Sequence, residues 1–131
     1  MIRNEKNSRL SFTFNHCLEY ATGTFVARMD ADDYIAPNRF EKQITYLKSH
    51  KDIQLVGTLM QTFNDDGEFG KVITYKKHPN KYDLRVGPVF SHASIMTYKS
   101  VYDKLGGYTV SKRTVRSQDY DLWFRFFCCR V

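Results

Sequence analysis

The chain has 131 residues, enough for one domain with a buried core and cramped for two. Hydrophobic residues make up 42% and charged residues 26%, which excludes wholesale disorder, and no apolar run approaches the roughly 18 residues of a membrane span. A net charge of +6 favours anionic partners (nucleotides, nucleic acid or acidic head groups) without choosing among them. The polar start Met1-Ile2-Arg3-Asn4-Glu5-Lys6 lacks the apolar stretch of a secretory leader, so none is expected. Cys17, Cys128 and Cys129 are odd in number and contain no CxxC spacing. A disulfide framework or cysteine zinc site is therefore not expected, and a reducing cytoplasm fits.

Ser11 is a candidate N-cap for a helix over residues 12–22, with Phe14, Cys17, Leu18 and Ala21 on one face and Gly23 closing it. Thr24 to Met29 reads as a short buried strand that runs directly into Asp30-Ala31-Asp32-Asp33. Pro37 then opens a helix that reaches Ser49, with Phe40, Ile44 and Leu47 as its apolar stripe. Residues 53–63 read as a strand bent at Gly57. Asn64-Asp65-Asp66-Gly67 is a turn, and residues 71–75 return as the second arm of a hairpin. A short helix over residues 80–86, a strand around Ala93-Ser94-Ile95-Met96 and a helix over residues 99–105 stopped by Gly106-Gly107 follow. After a basic loop, a last helix starts near Ser117 with Leu122, Trp123, Phe126 and Phe127 on one face. Strands alternating with helices argue for an α/β or mixed sheet in a single domain over residues 1–131.

Two groups of acids carry chemistry. Asp30, Asp32 and Asp33 crowd the end of a strand, where ligands of open α/β sheets bind. Their mutual repulsion is relieved by full solvation or by a hard cation such as Mg²⁺ or Mn²⁺, which takes one or two carboxylates and completes its shell with phosphate and water. The plain alternative is a solvated loop in which Asp33 caps the next helix. Asp119 and Asp121 sit in the first turn of the last helix, where the macrodipole favours negative charge. They are either ordinary helix acids, or Asp119 faces a cleft as a general base. His92 is either structural or in contact with a phosphate or an acceptor. The basic loop Lys112-Arg113-Thr114-Val115-Arg116 is either solvated or a lid over a diphosphate.

In order, these pieces resemble the nucleotide-sugar glycosyltransferases of family 2. The likeness runs through Arg9-Leu10-Ser11, Asn15, Ala21-Thr22-Gly23, the run from Phe25 to Asp33 and the run from Pro37 to Gln43. It continues through His92-Ala93-Ser94-Ile95-Met96, Gly106-Gly107-Tyr108 and the run from Gln118 to Arg125. The resemblance implies a GT-A, Rossmann-like fold with a mixed sheet flanked by helices. It also implies Asp30 and Asp32 as a DXD pair holding Mg²⁺ or Mn²⁺ and, through it, a donor diphosphate. Arg28 and His92 are expected beside the donor. Asp119 matches the catalytic base of inverting members; Gln118 stands where many relatives carry Glu. The pattern of processive synthases is not seen, so single-sugar transfer is expected.

Relatives of this kind begin with a further strand, helix and strand that grip the nucleoside, so the chain is expected to be a partial catalytic domain. Its expected partners are a nucleotide-sugar donor and a saccharide or lipid-linked saccharide acceptor, with no nucleic acid. Peripheral association with the cytoplasmic face of a membrane and self-association through an exposed sheet edge belong to the same expectation. Two rival readings are an inactive remnant acting as an interaction module and, from charge alone, a nucleic-acid-binding domain. The scattered basic residues and the absence of any recognised nucleic-acid motif argue against the last.

Overall fold

The computed structural model describes residues 2–129. Its helices are α1 (Arg9–Tyr20), α2 (Arg39–Ser49), α3 (Lys99–Leu105) and α4 (Gln118–Cys128). Its strands are β1 (Phe25–Ala27), β2 (Leu55–Val56), β3 (Met60–Phe63), β4 (Phe69–Ile73) and β5 (Met96–Tyr98). The strands form a three-stranded sheet in the order β1-β5-β2 and a separate β3-β4 hairpin, a mixed α/β arrangement as expected. The chain divides into two compact units, Met1–Val26 with Tyr98–Val131, and Ala27–Thr97.

In the first unit, the seven-residue α3 ends on Gly106, whose φ of 69° closes the helix by donating to the Asp103 and Tyr102 carbonyls. Gly107 also has positive φ, at 71°, and a Cβ there would lie 2.6 Å from Asn15 Oδ1. That close approach serves the fold. Asn15 of α1 accepts from the Tyr108 N–H at 2.7 Å and donates to the Tyr108 carbonyl at 2.8 Å, pinning the chain just after the glycines. Val101, Tyr102, Tyr108, Leu122 and Trp123 are buried, and the Phe14 ring rests on Tyr108 at 5.0 Å. Within this unit Lys99 N–H donates to the Thr24 carbonyl, and Phe25 stacks obliquely on Tyr98.

In the second unit, β2 pairs antiparallel with β5, Leu55 opposite Thr97 and Val56 opposite Met96. Arg28 N–H donates to the Ile95 carbonyl at 2.9 Å just beyond β1. Leu47, Leu55, Leu84, Val89, Ala93, Ile95 and Met96 form the core. The hairpin turns at Gly67, φ 81°, with Asn64 Oδ1 accepting from Glu68 N–H. Every residue of β4 is exposed.

Several local expectations shift. The first helix begins at Arg9, so Ser11 is a buried helical residue and not its cap. The strand before the acids is only three residues long, half-buried at Phe25 and Val26 and exposed at Ala27, because it lies on the edge of its sheet. Strand 53–63 is two strands separated at residues 57–59, and residues 92–94 form a 3-10 turn that delays β5 to Met96. Helix 80–86 contracts to a 3-10 turn at Asp83–Arg85. Phe40 is exposed, and the buried stripe of α2 is Arg39, Gln43 and Leu47. Of the final Phe126-to-Val131 segment, Arg130 and Val131 lie outside the described residues. Cys17, Cys128 and Cys129 are free and exposed.

Gly107→Ala should lower stability by about 1–3 kcal/mol, from positive φ and the collision with Asn15, in urea unfolding of the two chains. Asp83 accepts from Asn80 N–H and from Lys76 Nζ, and these bonds hold its carboxyl below its ordinary 3.8. A depressed carboxyl stabilises the fold above its unfolded value and loses that contribution as pH falls through the folded one. Asp83→Asn should therefore flatten the acid-side fall in stability, read by comparing thermal unfolding near pH 6 with that near pH 3.

Candidate functional site

The acidic loop is built on the second unit. Arg28 ends the β1 ladder, and its guanidinium turns forward, donating to the Met29 carbonyl at 2.6 Å and pairing with Asp30 Oδ1 at 2.6 Å. The Asp33 N–H closes a turn onto the Asp30 carbonyl at 3.3 Å. Asp32 is exposed and makes no hydrogen bond or ion pair to the described residues. One carboxylate is thus braced by a cation and half-exposed, and the next is open to solvent. Two accessible oxygen-bearing groups of this kind fit a hard divalent cation that draws its other ligands from phosphate and water. The protein alone builds no closed cage: among the described residues, no three His, Cys, Asp or Glu side chains converge.

The loop is anchored from behind by α2. Arg39, 8% exposed, donates to the Arg28 carbonyl at 2.6 Å and to the Ala93 carbonyl at 3.3 Å. One turn on, Gln43 donates to the Ser94 carbonyl at 2.8 Å and to the Val56 carbonyl at 3.4 Å. Burial lowers the pKa of Arg39, and the negative charge of Asp33 opposes that shift. No catalytic or metal-binding pattern in the sequence singles out these two residues. Their signal is a polar pair spaced four residues apart, in line with the buried Leu47. His92 opens the 3-10 turn whose next two residues, Ala93 and Ser94, receive those bonds, and is itself half-buried. Arg28, Asp30, Asp32 and His92 thus all belong to this one unit.

Asp119 belongs to the other unit, in the first turn of α4. Its Oδ1 accepts the neighbouring Tyr120 N–H, at 2.9 Å, and the side chain is half-buried. Asp121 is engaged differently. Its Oδ2 accepts from Thr109 Oγ1 at 2.7 Å and from Arg125 Nε at 2.9 Å. Arg125 then donates to the Leu105 and Gly107 carbonyls at 2.6 and 2.9 Å. Asp121 is therefore a fold-holding acid, whereas Asp119 makes only a local backbone bond among the described residues. The Lys112–Thr114 stretch of the basic loop is a 3-10 turn capped by Ser111, without a buried residue. Among the described residues, no helix is long and apolar enough to cross a membrane.

A family model described as Glycosyl transferase family 2 matches residues 1–106. The chain is 42% identical over 127 residues to EpsE of Bacillus subtilis (strain 168), a protein named as a glycosyltransferase. It is 38% identical over 119 residues to the O-antigen biosynthesis glycosyltransferase WbnJ of Escherichia coli. With the amylovoran biosynthesis glycosyltransferase AmsE of Erwinia amylovora it shares 34% over 122 residues. These alignments cover 97%, 89% and 92% of this chain but 45% of each relative, so the chain spans about half the length of the relatives it matches.

Replacing each helix acid by its amide separates their roles. Asp121→Asn should cost about 1–3 kcal/mol by weakening the charge-assisted bonds to Arg125 and Thr109. Asp119→Asn should change stability by less than about 1 kcal/mol. Chemical unfolding of both variants measures the difference.

Proposed function

We propose that this chain, which belongs to glycosyl transferase family 2, supplies the donor-diphosphate loop and the catalytic base of an enzyme that transfers one sugar from a nucleoside-diphosphate donor to an acceptor hydroxyl. The observation that carries this reading is the pair Asp30 and Asp32, displayed at the end of β1 in a chain whose family match runs across that loop. The names of WbnJ and AmsE, which refer to O-antigen and amylovoran biosynthesis, support a polysaccharide-biosynthesis setting and a saccharide acceptor.

Asp30 and Asp32 would hold Mg²⁺ or Mn²⁺. Bound there, the cation would neutralise charge on the departing diphosphate. Arg28 braces Asp30 and brings a positive charge to the donor side of the loop. Asp119 takes the proton from the acceptor hydroxyl as the acceptor oxygen forms its bond to the anomeric carbon. The bond from that carbon to the diphosphate oxygen breaks in the same displacement, the electron pair leaves with the nucleoside diphosphate, and the configuration inverts. Holding both substrates in line supplies much of the remaining acceleration.

In the full-length enzyme, Asp32→Asn should abolish sugar transfer, and Asp119→Asn should lower kcat by about 10²–10⁴-fold with little change in donor KM. Release of nucleoside diphosphate from a panel of sugar nucleotides measures both. Retained turnover in Asp32→Asn would remove that residue from the mechanism.

A further inference from the structure

The segment that leaves β4 is basic and exposed. Residues 69–86 carry Lys71, Lys76, Lys77, Lys81 and Arg85 against a single acid, Asp83. This stretch supplies most of the chain's net +6. Asp83 is already committed to Lys76, at 2.9 Å, and to the Asn80 N–H, at 2.8 Å. Lys71, Lys77, Lys81 and Arg85 are exposed and pair with no acid among the described residues.

Apolar groups stand among these cations. Leu84 is buried and ties the Asp83–Arg85 turn to the core of the second unit. On either side of the turn the chain is outside: Tyr82 is 60% exposed and Val86 93%. Lys81 Nζ lies 5.2 Å and the Arg85 guanidinium 5.5 Å from the centre of the Tyr82 ring. One aromatic ring is thus flanked by two unpaired cations, and a bare valine follows the second of them. We infer that residues 76–86 dock on an anionic lipid surface, with Tyr82 and Val86 at head-group depth and Lys77, Lys81 and Arg85 on lipid phosphates. The inference goes beyond the glycosyl-transfer reading and needs neither metal nor nucleotide.

The composition selects the occupant. A tyrosine ring with a polar tip suits the boundary between head groups and acyl chains, and Lys and Arg stems reach from there to phosphate. Each cation near an anionic membrane strengthens binding about fivefold. A second copy of the chain would instead set the same unpaired cations face to face. A nucleic acid would satisfy the cations but give Val86 no apolar counterpart. A bilayer interface accommodates both kinds of group at once.

Vesicle flotation of the 131-residue chain tests this, with vesicles of phosphatidylcholine alone. The comparison is the same lipid mixed with about 30% phosphatidylglycerol. The chain should bind the anionic vesicles at least about tenfold more tightly than the neutral ones, and lose most of that binding between roughly 0.05 and 0.5 M salt. Lys81→Ala combined with Arg85→Ala should weaken binding by about 25-fold, and Val86→Asp by at least about tenfold. These positions are exposed, so the core is undisturbed. Lys48→Ala combined with Lys51→Ala removes the same charge from the C-terminal end of α2 and should weaken binding by less than about threefold. Failure to float with anionic vesicles, equal binding to neutral ones, or equal losses in the two double variants would overturn the assignment. Binding of a random oligonucleotide without binding of vesicles would overturn it too, and would give the surface to nucleic acid.

Discussion

A buried guanidinium organises the acidic half of this protein. Arg39 is drawn out of water into α2's packed face, where an unpaired charge would be costly. It offsets that cost by donating to two backbone carbonyls, with Asp33 supplying opposite charge. Gln43 repeats the device one turn later. The consequence is positional. The end of β1, the 92–94 turn and the end of β2 are all referred to one helix, and the loop bearing Asp30 and Asp32 leaves from the first of them.

A similar division of labour separates the acids on α4. Asp121 is committed to Thr109 and Arg125, and through Arg125 to the carbonyls of Leu105, the last residue of α3, and Gly107 just after it. Asp119, two residues earlier, holds one local backbone bond. Two acids in one helical turn thus divide into a structural member and an available one. The general-base role proposed for Asp119 requires such a division, because a base needs a carboxylate oxygen that is not already occupied.

Much of this was legible in the sequence because it is local. The Asn64–Gly67 turn, the helix stopped by Gly106 and the acidic run after a short strand each follow from neighbouring residues. What was not legible depends on distant partners. An apolar stripe through Phe40 is the natural reading of α2, yet Phe40 is exposed and Arg39 and Gln43 are buried, since carbonyls 11 to 54 residues away need their donors. Likewise, nothing near Asp119 or Asp121 tells which one Thr109 will engage. β1 read as buried because its composition is that of a central strand, while its place at the sheet edge is a matter of topology.

The claim that binds these elements together is that Asp30 and Asp32 hold a divalent cation and, with it, a donor diphosphate. The most direct measurement is a thermal-shift titration of this chain with Mn²⁺ and a set of nucleoside diphosphates, separately and together, beside Asp30→Asn and Asp32→Asn. The account predicts a rise in Tm that needs both metal and nucleotide and is lost in either variant. An unchanged Tm in the parent chain, or the same rise in both variants, would contradict it.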